Sequence, residues 1–302
     1  MFFPLSETMV SKLKKIKSRV FWIIVRIHSS LSDKQFYVAD DKIWFEFQLR
    51  PENALEYGKM KLPSLPPDDV QRRFTARSGK ENLLQAFHFY KFLRETCSLE
   101  QINQPKILDF GGGWGRISRF FLRDTNANFI WIADCLADSI YWLNATGNPC
   151  NIIKNEPRPP IADLDTKFDL IYAFSVFSHL SEDYFLSWIE YLLDLLRPGG
   201  HLVFTTRGNE FLLQIEKLHH ENISHYLTEK LPHYDEIRLR YDKGEFQFYP
   251  TGGGGELSSD FYGETIIPKS YMQQKFPVEF LNFTENRQFI DQAVIVFKKS
   301  YS

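Results

Sequence analysis

The run Ile107–Phe121 reads ILDFGGGWGRISRFF, an apolar stretch that ends at Asp109 and passes into Gly111, Gly113 and Gly115. Glycine at alternate positions lets the chain turn sharply and bring its amides against a ligand with no side chain between. Past the turn, Ile117, Phe120 and Phe121 fall at i, i+3 and i+4, which predicts a helix packed back on a sheet. A strand, a glycine loop and a helix in that order make a nucleotide-type site. A dinucleotide fingerprint needs G-x-G-x-x-G, and counting from Gly111 the third glycine position holds Arg116. The pattern present is D-x-G-x-G-x-G. Asp134 closes the next predicted strand, 25 residues beyond Asp109. A carboxylate there can accept hydrogen bonds from both hydroxyls of a ribose lying over the loop; the other reading is a helix N-cap. His179 follows a fourth strand, where such a site opens. Its ordinary pKa suits a base that removes a proton from an acceptor, against a role in capping or packing the loop.

Strands to carry these residues are read at Lys106–Phe110, Phe129–Ala133, Asn151–Ile153, Asp169–Phe174 and His201–Thr206, with helices between, the order of a parallel α/β sheet. Between the last two, Phe185, Trp188, Ile189, Leu192, Leu193 and Leu196 form one helical stripe, with Ser181 as N-cap and Pro198-Gly199-Gly200 as the stop. Val278–Phe283 and Gln292–Lys298 read as a terminal strand pair. Upstream, Glu81–Arg94 has a helical stripe, while Asp40–Arg50 alternates Ile43, Phe45, Phe47 and Leu49 with more polar neighbours and predicts a strand. From Tyr234 to Tyr271 runs a long insertion. In it Phe246, Phe248 and Tyr249 precede Gly252–Gly255, and Phe261, Tyr262 and Tyr271 follow, a composition that suits a lid over an acceptor pocket.

The D-x-G-x-G-x-G loop resembles motif I of the class I S-adenosylmethionine methyltransferases. Phe168–Leu180 (FDLIYAFSVFSHL) resembles their motif IV, and Leu196–Thr206 (LRPGGHLVFTT) the helix, turn and strand that follow. Pro66–Gly79 (PPDDVQRRFTARSG) is similar to the segment before the core in a bacterial subgroup acting on small molecules and in sugar pathways. The resemblance spans about residues 105–300. It implies a Rossmann-like α/β fold, a seven-stranded mostly parallel sheet with its last strand antiparallel, and S-adenosylmethionine as cofactor. It further implies that residues 1–100 are an N-terminal extension capping the cleft, and that residues 101–302 are the methyltransferase domain with a lid-like insertion near 234–271. Cofactor contacts then fall to Asp109, Gly111, Gly113, Gly115, Asp134, Cys135, Asn155 and Ser175. Asn155 and Glu156 are placed to read the adenine amino group, and His179 is the catalytic candidate. The fourth strand ends in Ala173-Phe174-Ser175-Val176 without the N/D-P-P-Y/F signature of many amide and exocyclic-nitrogen methyltransferases. The expected acceptor is a small molecule or saccharide, methylated at oxygen. A non-catalytic S-adenosylmethionine-binding protein is the alternative; an NAD(P)-dependent oxidoreductase is disfavoured by the glycine spacing and the missing Tyr-x-x-x-Lys.

A formal charge of −2 over 302 residues gives no basic excess for a nucleic-acid partner. Three cysteines, Cys97, Cys135 and Cys150, offer neither a paired framework nor C-x-x-C spacing, which fits a cytoplasmic protein. His219, His220, His225 and His233 lack the spacing of a metal site, so no metal is expected. Lys12, Lys14, Lys15, Lys17, Arg19 and Arg26 flank the apolar run Phe21–Val25, which is too short to span a bilayer. Residues 1–28 suit peripheral contact with an anionic membrane, or a solvated helix packed on the domain.

Overall fold

The computed structural model describes residues 40–50, 62–253, 255–277, 279–285 and 292–301. In chain order its elements begin with helices α1 (Asp41–Leu49), α2 (Asp68–Thr75) and α3 (Gly79–Thr96). Next come strand β1 (Ile107–Phe110), strand β2 (Ile130–Asp134), helix α4 (Ala137–Ala145), strands β3 (Asn151–Lys154) and β4 (Phe168–Ala173), helix α5 (Glu182–Asp194) and strand β5 (Leu196–Thr206). Helices α6 (Asn209–His220) and α7 (Tyr226–Lys230) follow, and the expected insertion from Tyr234 to Tyr271 takes in α8 (Tyr234–Asp242) and the antiparallel strands β6 (Gln247–Tyr249) and β7 (Glu264–Ile266). Helix α9 (Lys269–Lys275), β8 (Phe280–Thr284) and β9 (Ala293–Lys298) complete it.

The main sheet runs β3-β2-β1-β4-β5-β9-β8. β9 pairs antiparallel with both β5 and β8, so it alone runs against the other six. This is the Rossmann-like methyltransferase arrangement expected. Chain order reverses between β1 and β4, and the crevice beyond the carboxyl ends of those strands is where an open α/β sheet binds its ligand. The strands are apolar on both faces because both are covered. Ile107, Ile130, Ile132, Leu170 and Tyr172 face one cluster with α1 and α3, while Leu108, Phe110, Ala133, Ile171 and Ala173 face another with Phe185, Trp188, Ile189 and Leu192 of α5.

Several expectations change. Asp40–Arg50 is a helix, not a strand. Asp40 caps it by accepting the Ile43 N–H at 2.9 Å, and Trp44, Phe45, Phe47 and Gln48 are buried together. That i, i+1, i+3, i+4 face includes Trp44, which the alternating pattern puts on the outer side. After the glycine loop the chain forms a 3₁₀ helix, Ser118–Arg123. Helix α5 ends at Asp194, before Pro198, because β5 already starts at Leu196. The segment joining β8 to β9 and the basic residues 1–28 lie outside the described residues. No helix among the described residues is long and apolar enough to cross a membrane.

Three arginines following the loop fasten the N-terminal helices over it. Arg116 donates to Gln85 Oε1 (2.7 Å) and Asn82, Arg119 to Gln48 Oε1 (2.7 Å) and the Pro63 carbonyl, and Arg123 to Tyr90 and Asp41. All three are buried. Charge-assisted bonds of this kind are the strong ones, so α1 and α3 share a core with the sheet and are positioned by the motif itself.

Candidate active site

A cavity of about 920 Å³ opens above the β1/β4 crevice, at the upper end of the ~300–1,000 Å³ usual for small-molecule clefts. Its floor is Asp109, Gly111, Gly112, Gly113 and Trp114, and one side is Asp134, Cys135 and Asn155. The β4 end supplies Phe174, Ser175 and His179, and Gln292 enters from the start of β9. Arg73–Arg77 and Gln85 close it from the N-terminal helices, and Gly253, Leu257, Phe261 and Tyr262 from the insertion.

Gly113 has φ +55°, in the left-handed region that favours glycine, and its N–H donates to Asp134 Oδ2 at 2.8 Å. Asp134 Oδ1 accepts the Leu136 N–H at 2.9 Å. The carboxylate thus ties the loop to the end of β2, and each oxygen keeps a second lone pair for a ligand. Burial pushes the Asp134 pKa up, partly offset by the Leu136 and Gly113 bonds. Asp109 is buried more deeply, and its Oδ2 has no hydrogen-bond partner. Burial raises its pKa to about 7, with the Asp134 charge acting in the same direction. Asn155 is buried at the end of β3; its Nδ2 donates to the Glu156 carbonyl at 2.7 Å and its Oδ1 has no partner. Such atoms are costly to leave bare, and Trp114 Nε1 and Ser139 Oγ, on two more residues of the lining, have no hydrogen-bond partner either.

At the far side, Ser175 adopts φ +60°. Its N–H donates to Thr205 Oγ1 (2.7 Å), Thr205 Oγ1 donates to Gln292 Oε1 (2.6 Å), and Gln292 Nε2 donates to Ser175 Oγ (2.9 Å). This closed ring spans β4, β5 and β9. His179 Nδ1 lies 2.8 Å from the Gly263 carbonyl, so it carries the proton and Nε2 holds the lone pair. The ring stacks on Tyr262 at 4.8 Å and 6°. Burial, then the Arg207 charge, lowers the His179 pKa to about 3, against the Gly263 bond. Arg207 is itself held by an ion pair with buried Glu264 of β7.

Residues 82–249 match the family model described as a methyltransferase domain, more than half of the chain. The chain belongs to that methyltransferase family. Among solved structures it is similar to DesVI from Streptomyces venezuelae, at 13% identity over 78% of this chain and 99% of that one (TM-score 0.49). It is similar too to the magnesium protoporphyrin IX methyltransferase ChlM from Synechocystis PCC 6803 with bound SAH, at 11% identity over 86% and 100% (TM-score 0.46). A third is an S-adenosylmethionine-dependent methyltransferase from Clostridium acetobutylicum, at 13% identity over 70% and 90% (TM-score 0.45). None of the curated proteins matches the sequence.

The methyltransferase cofactor is S-adenosylmethionine, and the donor set suits it. The partnerless Oδ1 of Asn155 can accept from an amino group, the spare lone pairs of Asp134 from a diol, and the partnerless Oδ2 of Asp109 from an ammonium. Asp109, Gly111, Gly113, Asp134, Cys135, Asn155, Ser175 and His179 all line the cavity. Gly115 does not. It turns at φ +81°, and a Cβ there would meet Asn148 Nδ2 at 2.5 Å, so it is needed for packing behind the loop. Gly112 takes its place in the lining. Glu156 is exposed and outside the lining because the chain turns outward after Asn155. Tyr271 is also outside, its hydroxyl donating to Glu182 at 2.6 Å. Burial raises the Cys135 thiol to about 12, which keeps it protonated. His219 and His225 are engaged locally, the first with the Leu231 carbonyl and the second as cap of α7. The sequence reading missed Gln85, Arg116 and Gln292. The only signal for Arg116 is a charge directly after the loop; Gln292 carries none, since its role arises from β9 lying beside β5.

Proposed function

We propose that this methyltransferase transfers a methyl group from S-adenosylmethionine to an oxygen of a small-molecule or saccharide-type acceptor. The observation that carries this reading is the cavity itself, about 920 Å³ above the β1/β4 crevice and covered by Arg73–Arg77 from the N-terminal helices and by Gly253, Leu257, Phe261 and Tyr262 from the insertion, a size that suits small ligands. Arg73 pairs with Asp138 of α4 at 3.3 Å, and Glu256 accepts the Ala137 N–H at 2.9 Å, so both covers fasten to the start of the same helix.

S-adenosylmethionine supplies an already activated methyl on its sulfonium. Asn155 accepts from the adenine amino group, Asp134 holds the ribose, Gly111 and Gly113 let the loop approach, and Asp109 faces the amino group. The acceptor then meets Phe174, Ser175, Gln85 and Gln292. The Ser175–Thr205–Gln292 ring is uncharged and leaves a second Gln292 N–H to donate, which suits a hydroxyl-rich acceptor better than a cation. Positioning of acceptor against methyl can supply about 7–11 kcal/mol of the barrier. His179, neutral at every physiological pH, orients its surroundings through Nδ1–H and offers Nε2 as an acceptor; its basicity is too low for a bulk proton carrier. Of the N-terminal extension, the segment 73–85 acts as the cap, and residues 101–302 are the transferring domain. The test is label transfer from tritiated S-adenosylmethionine to methyl glycosides and simple polyols, with amines and peptides alongside. Label in the hydroxyl compounds supports the reading. Label in amines or peptides alone, or S-adenosylhomocysteine binding without any transfer across a broad panel, refutes it in favour of another acceptor class or a non-catalytic binder.

A further inference from the structure

The insertion segment between β6 and β7 does not sit where a cover for the acceptor would. One end is sewn to the loop after β4: the Gly263 N–H donates to the His179 carbonyl (2.8 Å), the Thr265 N–H to Ser178 (2.9 Å), and the Ser181 N–H to Phe261 (2.9 Å). From there it crosses toward the opposite edge of the sheet. Glu256 accepts the Ala137 N–H, just past β2, and pairs with Lys154 at the end of β3 at 3.2 Å. In strand order this path covers β4, β1, β2 and β3. The acceptor end, marked by Ser175, Thr205 and Gln292, lies the other way, at β4, β5 and β9.

Along that path Leu257, Phe261 and Tyr262 turn into the cavity. Tyr262 lies flat on His179. It is close enough to Asp134 for that carboxylate's charge to add to the burial that raises its pKa to about 12. Gly253 is wedged into the same packing: a Cβ there would stand 2.6 Å from Leu257 Cδ1 and 2.8 Å from Tyr262 Cε1. Leu257 and Tyr262 thus share one wall of the cavity that also holds Asp134, Cys135 and Asn155.

We propose that Leu257 and Tyr262 form the outer wall of the adenosine subsite, so that the insertion sets the affinity for the cofactor. The proposal rests on the S-adenosylmethionine reading of the cleft and adds to it. An adenine has two apolar faces, and a leucine with a stacked tyrosine–histidine pair is a surface that such a face buries well. Glu256 is then the clasp that keeps this wall against the ends of β2 and β3.

Calorimetry with S-adenosylhomocysteine and with methylthioadenosine, which lacks the amino-acid end, separates the possibilities. Leu257→Ala and Tyr262→Ala should each weaken both ligands by about tenfold and by the same factor for the two. Tyr262→Phe should restore most of the loss, because the ring supplies the contact. Glu256→Ala, an exposed change that spares the fold, should weaken binding by about two- to fivefold. Circular dichroism and thermal melts identify any variant that fails to fold, and Glu256→Ala then carries the test. Wild-type affinity in the folded variants overturns the proposal. Failure of the wild-type protein to bind either ligand would overturn the underlying cofactor reading instead.

Discussion

With Asp109 placed against the cofactor amino group, as proposed, cofactor binding should be a proton-linked event. In the free protein its carboxyl titrates near 7 because it is buried, with Tyr172, Arg116 and Ser118 only partly offsetting the cost of a charge there. S-adenosylmethionine brings a sulfonium and an ammonium, and an opposite charge beside a carboxylate pulls its pKa down. If the bound value returns to the ordinary ~3.9, the free protein at pH 6 is about nine-tenths protonated at Asp109 and the complex is ionised. Binding at pH 6 should therefore release about 0.9 proton, and affinity should be about tenfold weaker at pH 6 than at pH 8. The sign follows from the raised pKa: protonation of the free form opposes binding below 7 and vanishes as an opposing factor above it. Calorimetry at pH 6 in two buffers of different ionisation enthalpy reads the proton count directly. Asp109→Asn should abolish the release and flatten the pH dependence. No proton release in the wild type, or the same release in Asp109→Asn, would refute the placement of Asp109 against the cofactor amine. The same burial affects the unliganded fold. A carboxyl whose folded pKa exceeds its unfolded value destabilises the native state increasingly as pH rises from about 4 to about 7, so Asp109→Asn should raise the melting temperature most at pH 7 and above.

Three further outcomes are expected. Asp134→Asn keeps the shape but sets an NH₂ against one of the two backbone N–H groups, Gly113 or Leu136, that the carboxylate now accepts. Affinity for S-adenosylhomocysteine should fall by about 1.5–3 kcal/mol, and calorimetry showing an unchanged value in folded protein would remove Asp134 from the site. Gly113→Val places a β-branched residue at φ +55° and points its side chain at the ligand and Phe74, so binding should be lost; normal binding would contradict the assignment of the loop. Deleting residues 1–28 should leave S-adenosylmethionine affinity within a few-fold, and should abolish any sedimentation with anionic liposomes; absence of sedimentation by the full chain would retire membrane contact.

The sheet and loop could be read in the sequence because their causes are local. β1, β2 and β4 are buried on both faces, so they appear as short continuous apolar runs, and the glycines at 111 and 113 report backbone angles that other residues avoid. Asp134 was legible for the same reason, at the end of a strand whose length is set by the sheet. What could not be read depends on partners far along the chain. Asp40–Arg50 alternates like a strand, and only the aromatic contacts of Phe45 with Phe87 and Phe120 reveal which face is inside. Arg116, Arg119 and Arg123 look like a basic stripe until their acceptors, 31 to 82 residues away, are known. Gln292 joins the cavity because β9 lies beside β5, and Tyr262 because its ring stacks on His179, 83 residues earlier in the chain.

A crystal structure with S-adenosylhomocysteine bound tests the central claim most directly. The expected density places the adenine amino group at Asn155 Oδ1, the ribose hydroxyls on Asp134, the amino group at Asp109, and the sulfur turned toward Ser175 and Gln292. Adenosine at the Gln292 end, or a ligand that leaves Asp134 and Asn155 untouched, would contradict it.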